Sequence, residues 1–169
     1  MTPIANNEAG SSVRSKLNTM MLYSIDSAVT KPADEARTSA SLVADPDMTL
    51  PIVSGQNHLL HYCFLWVPSG VGIGITWTWT VPFTGNVQWI EKHIANGSTT
   101  IQVLHTDSGL IPASVPTSIA GVNVCEGFLR FTASASTTVA MKWGNATGAG
   151  NTIMKIGSWM QLAPCRYAV

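Results

Sequence analysis

The chain has 169 residues, 46% of them hydrophobic and 11% charged, with a formal net charge of zero, enough for one ordinary domain with a real core plus a short appendage. Nine Lys and Arg residues, thinly spread, form no basic stripe for a phosphate backbone, which excludes nucleic acid as a partner. The most apolar run, 59–67, is broken by His61 and falls far short of the ~20 residues of a spanning helix, which excludes the membrane.

Residues 1–10 read as an arm, with neither the basic start nor the apolar stretch of a signal peptide. Ser11 or Ser12 then supplies a helix cap. Val13, Leu17, Met20, Met21, Ile25 and Ala28, with Leu22 and Val29 alongside, fall at spacings of three and four, which predicts one helical face over about four turns. Lys31-Pro32 ends it, because the residue before proline is driven out of the helical region. A linker follows to about residue 40, so the expected organisation is an arm, helix and linker over 1–36 and a β domain over 37–169.

Beyond the linker the period changes to two. Ile73, Ile75, Trp77, Trp79 and Val81 alternate with glycine and threonine, giving one large apolar face. Val139, Met141 and Trp143 repeat the pattern. Further strands are predicted at 40–44, 58–67, 87–95, 100–105, 122–132 and 152–162, separated by turn chemistry such as Asn96-Gly97. About eight strands at this spacing predict an antiparallel β-sandwich or jelly roll, preceded by the single helix. The segment 106–120, with Pro112 and Pro116, is long enough to cross between sheets. Strand 58–67 has no polar face of its own, which points to cover on both sides, one of them by a neighbouring subunit. Low charge adds little repulsion between copies, and self-association is expected. The core-sheet or oligomer candidates are Leu60, Tyr62, Phe64, Trp66, Ile75, Trp77 and Trp79.

Catalytic chemistry finds little material. After residue 50 the acids are Glu91, Asp107 and Glu126, too few for an obvious carboxylate pair. Glu91 is expected in solvent beside Lys92, and Glu126 paired with Arg130 or a nearby lysine. His58 and His61 face opposite sides of a strand, and His93 and His105 lack supporting Cys or carboxylate spacing, so no metal or cofactor is expected. Cys63, Cys125 and Cys165 are odd in number and widely spaced, as for reduced core thiols. There is no nucleophile elbow and no phosphate loop. Trp89, beside Gln88 and Glu91, comes nearest to a sugar-stacking platform. The expectation is a protein that is not an enzyme.

The segment Asn7-Glu8-Ala9-Gly10-Ser11-Ser12-Val13-Arg14-Ser15-Lys16-Leu17-Asn18 resembles the opening of many tailed-bacteriophage structural proteins. There, a short arm and helix precede a fibre, spike or decoration domain. Ile156-Gly157-Ser158-Trp159-Met160-Gln161-Leu162 is similar to the closing strand of a family of phage virion β-sandwich domains. The resemblance implies a virion protein assembled in the host cytoplasm, with Val13, Arg14, Leu17, Asn18, Met20, Met21 and Ile25 anchoring it. It also implies a homotrimer and contact with other virion proteins such as the major capsid protein. The absence of a long repetitive shaft favours a capsid decoration or short head-spike subunit over a full tail fibre. The alternative is a tail-associated receptor- or carbohydrate-binding module facing a host surface glycan.

Overall fold

A computed structural model describes residues 28–94, 100–107, 113–115 and 121–164. The helix positions Val13, Arg14, Leu17, Asn18, Met20, Met21 and Ile25 lie outside the described residues, as does Cys165.

The described chain is all β: twelve strands rather than about eight, in two antiparallel sheets. β1 (Ala28–Thr30), β2 (Glu35–Arg37), β4 (Asn57–Pro68), β6 (Phe83–Ile94), β7 (Thr100–Asp107), β9 (Asn123–Ala133), β11 (Thr152–Met154) and β12 (Trp159–Pro164) make the larger sheet. Its main order is β1-β12-β4-β9-β6-β7, with β11 continuing beside β4 and carrying β2 on its far edge. β3 (Val43–Ile52), β10 (Thr137–Asn145), β5 (Ile75–Thr80) and β8 (Ala113–Val115) make the smaller sheet, in the order β3-β10-β5-β8. From β3 onward the chain passes to the other sheet at every step, apart from the β6–β7 and β11–β12 pairs that stay in the larger one. That winding is the jelly roll. Within 106–120, β8 pairs with β5 in the smaller sheet, while β7 before it and β9 after it lie in the larger one.

Three expectations about residues 28–52 need correction. Ala28 and Val29, assigned to the helical face, are strand residues opposite Gln161 and Met160. Glu35–Arg37, read as linker, is a strand opposite Thr152–Met154. The sandwich therefore includes part of the segment 1–36. Strand 40–44 is instead Val43–Ile52 and holds Pro46 and Pro51, tolerated because β3 is an edge strand where missing donors are harmless.

The predicted strand 152–162 is divided. Gly157 takes φ +87°, and Ser158 Oγ accepts from Leu65 N at 3.0 Å, replacing the backbone partner that the break removes. Lys155 N donates to Leu65 O at 2.8 Å, so the backbone of Leu65 stays satisfied.

The core lies between the sheets. β4 turns Leu60, Tyr62, Phe64 and Trp66 inward, and β5 meets them with Ile75, Trp77 and Trp79, so all seven core-sheet or oligomer candidates are buried within the sandwich. Removing each such side chain from water contributes about 1.5–3 kcal/mol.

Candidate functional site

Three groupings of side chains go beyond plain packing. The first is inside the sandwich, where β6 and β9 run antiparallel with His93 opposite Cys125 and Glu91 opposite Gly127. The pleat that turns Trp89 inward also turns Glu91 and His93 inward. Trp89 and Glu91 are each only 2% exposed, which removes Trp89 as a candidate sugar platform and overturns the expected solvent-facing acid.

Glu91 Oε1 is 3.2 Å from His93 Nε2, and Tyr62 donates its hydroxyl proton toward Glu91 Oε2 at 3.4 Å. Trp89 Nε1 donates to that same hydroxyl oxygen at 2.5 Å. One ligand atom each from Glu91, His93 and Cys125 lie within 4.8 Å of one another. Burial, and then the neighbouring Glu91, pushes the Cys125 thiol well above its ordinary range. Tyr62 is raised well above its own by burial, then by Cys125 and Glu91. A Cβ on Gly127 would fall on the Tyr62 ring and within 2.6 Å of Ile90 O, so the missing side chain makes room for the Tyr62 hydroxyl.

His105 stands opposite Trp89, not opposite His93, so the two histidines do not share a rung. Sequence reasoning missed the Glu91, His93 and Cys125 convergence. The available signal was that Glu91 and His93, two apart, share the face of Trp89 and Val87.

The second grouping ties the sheets together. Lys31 follows β1 and continues its pairing, its N–H donating to Ser158 O at 2.7 Å. Its ammonium is buried and bonded to Glu35 (2.7 Å), both oxygens of Asp45 (3.1 and 2.9 Å) and Asp47 (3.2 Å). Asp45 sits where the pairing of β3 with β10 slips, between Ala44 and Thr49. There its Oδ1 accepts from the N–H groups of Asp47 and Met48, a local turn of the kind aspartate favours. Trp143 Nε1 donates to Asp45 Oδ2 at 2.8 Å, and the Arg37 guanidinium stacks 4.1 Å over the Trp143 ring. Burial alone would lower Lys31, but its bonds to Glu35, Asp45 and Asp47 outweigh that and hold it above its usual range. For Asp45, burial works upward and is overcome by Lys31, Trp143 and the Asp47 N–H, which keep it ionised below the usual carboxylate range. The place a cation would take among these acids is filled by the lysine.

The third grouping is the outer face of the larger sheet. β4 turns Leu59, His61, Cys63, Leu65 and Val67 outward, all half-buried. Phe128 and Ile90 continue the His61 rung across β9 and β6, at 41% and 51% exposure. Val124 and Ile94 continue the Leu65 rung in the same way. The His61 and Phe128 rings stack with centroids 4.3 Å apart, and Trp159 meets His61 edge-on at 4.8 Å. Glu126 Oε1 is 3.1 Å from His61 Nε2, so this acid pairs with a histidine rather than with Arg130, whose guanidinium reaches Gln88.

Fold and groupings define the class: a jelly-roll β-sandwich with a polar cluster inside and an apolar outer sheet face. No family description and no curated protein matches the chain. Among solved structures it is similar to the Eiger TNF of S. frugiperda, at 10% identity and a TM-score of 0.40 over 84% of this chain and 94% of that one. It is also similar to TmCBM61, solved in complex with β-1,4-galactotriose, at 11% identity and a TM-score of 0.35 over 84% and 90%. Sandwiches of unrelated activity share likeness of this degree, and the fold rests on the strand pairing described above.

Proposed function

We propose that the chain is a structural subunit of a virion, a capsid decoration or short head spike assembled in the host cytoplasm, whose sandwich self-associates as a trimer through the outer face of its larger sheet. The observation that carries this reading is the apolar character of that face. Ile90, Ile94 and Phe128 stand exposed beside half-buried Leu59, Leu65, Val67 and Val124, on a surface that water would otherwise cover. The opening Asn7–Asn18 and its likeness to phage structural proteins supply the virion. A non-catalytic role is supported by Glu91, sealed inside and paired with His93, and by Glu126, held on an open sheet face by His61.

Sedimentation of the full chain and of Phe128→Glu tests the reading. The expected result is a stable oligomer for the parent and a folded monomer for the variant. A parent chain that stays monomeric at every concentration tried overturns it.

A second reading has an observation of its own. Phe128, His61 and Trp159, with Glu126 and Gln161 beside them, make an aromatic and polar patch of the kind a sugar stacks on. In this reading the domain is a carbohydrate-binding module for a host surface glycan. Glycan binding lost in Trp159→Ala, with the oligomer unchanged, would favour it.

A further inference from the structure

The Glu91, His93 and Cys125 side chains have no part in the proposed assembly, and their chemistry is unusual for a core. We infer that they form a binding site for a thiophilic divalent cation of the zinc class, pinning β6 to β9 inside the sandwich.

Geometry comes first. Zinc holds nitrogen and oxygen ligands at about 2.0–2.2 Å and sulfur at about 2.3 Å, so the ligands of a tetrahedral ion stand about 3.3–3.7 Å apart. Here one atom from each residue lies within 4.8 Å of the other two, and the carboxylate and imidazole are already at 3.2 Å. Closing the set takes side-chain adjustment only, because His93 and Cys125 face each other on one rung and Glu91 is two residues from His93.

Charge is the second argument. The interior holds a carboxylate that is 2% exposed, paired with the His93 imidazole, beside a thiol that is 1% exposed. A divalent ion bound to carboxylate, neutral imidazole and thiolate sums to zero, and the thiol proton leaves to solvent. The donor set also selects the ion. A thiolate with an imidazole suits zinc or cobalt(II), whereas magnesium and calcium want oxygen alone.

The surroundings are those of a held ligand. Glu91 is bonded by the Tyr62 hydroxyl, which Trp89 holds in turn, an outer shell that fixes the carboxylate. His93 Nδ1 is buried without a hydrogen-bond partner among the described residues, and the ring packs against Trp77 at 5.1 Å. With 12% of its side chain exposed, against 2% for Glu91, His93 marks the way in from solvent.

The test uses the reduced, chelator-treated full chain and cobalt(II) or zinc(II) alone. Cobalt is expected to bind at one equivalent and give a thiolate-to-metal charge-transfer band, which zinc then displaces while raising the melting temperature. Cys125→Ser should abolish the band. His93→Gln should weaken cobalt binding by at least about tenfold, a scale that outer-shell partners alone can command. The double variant Cys63→Ser with Cys165→Ser leaves Cys125 as its sole thiol and should keep the band, which decides the matter even where Cys125→Ser folds poorly. No band in the parent chain, a band that survives in Cys125→Ser, or one lost in the double variant overturns the inference.

Discussion

Lys31 Nζ lies 2.9 Å from Asp45 Oδ2 with both side chains buried, and through this contact the edge of the larger sheet is joined to the edge of the smaller one. Removing one member of a buried pair strands the other charge, at about 3–5 kcal/mol. Lys31→Met strands the buried Asp45 carboxylate and is expected to lose stability on that scale in urea denaturation, whereas Asp45→Asn leaves Lys31 its bonds to Glu35 and Asp47 and should lose less. The double variant should lose less than the sum, since neither charge is then left alone.

The same pair sets a pH window. Asp45 is held below its ordinary value of 3.8, so its contribution is complete above that value and fades as pH falls through the lower folded value. Lys31 is held above 10.5, so its contribution is complete below that value and fades as pH rises through the higher folded one. Between these limits the pair adds no slope. Urea midpoints of the parent should fall toward acid more steeply than those of the double variant, and midpoints that run parallel would refute this account.

The pair also fixes where the chain can be shortened. Deleting 1–27 leaves Lys31 and β1 in place, whereas deleting 1–31 removes the lysine and the strand that pairs with β12. The first truncation is expected to keep the melting temperature of the parent. The second should melt markedly earlier. If the segment 1–27 is the anchor, the first truncation also fails to join the particle.

Gly127 faces the Tyr62 hydroxyl. Gly127→Ala pushes a methyl into that ring and against the Ile90 carbonyl, an overpacking expected to destabilise by about 1–3 kcal/mol. Since Tyr62 holds Glu91, the variant should also shift cobalt binding, readable in the same titration.

In a Cys165→Ser background, Cys63 and Cys125 should separate by reactivity. Cys63 is half-buried, its thiol raised by burial and then by Glu126, while Cys125 is sealed and raised well above the usual range. A thiol reagent should label Cys63 in the folded Phe128→Glu monomer, where the outer sheet face is uncovered, and reach Cys125 only on unfolding. Equal rates would contradict the burial of Cys125.

If the chain self-associates through the outer sheet face as proposed, that association should respond weakly to salt. Among the described residues the middle rungs of that face carry Ile90, Phe128, Leu65 and Val124, with charge on Lys92, Glu126 and Arg130. Sedimentation across a salt series checks this, and a steep salt dependence would move the interface elsewhere.

Alternation in the sequence determined the strand class and the inward face of β5, where Ile75, Trp77 and Trp79 alternate with threonines, whereas β4 is apolar on both faces and the tertiary structure turned Leu60, Tyr62, Phe64 and Trp66 inward. In β6 the rule is silent. Val87, Trp89, Glu91 and His93 share one face, and Gln88, Ile90, Lys92 and Ile94 share the other, with apolar residues on both. The tertiary structure turned the first set inward, leaving Ile90 51% exposed, because β9 places Leu129 and Cys125 on that side. The jelly roll came from the alternation, whereas the meeting of Glu91 and His93 with Cys125, or of Lys31 with Asp45, came from pairings between distant strands. Local periodicity reports which residues share a face, while which strand lies alongside is fixed only when the whole core closes.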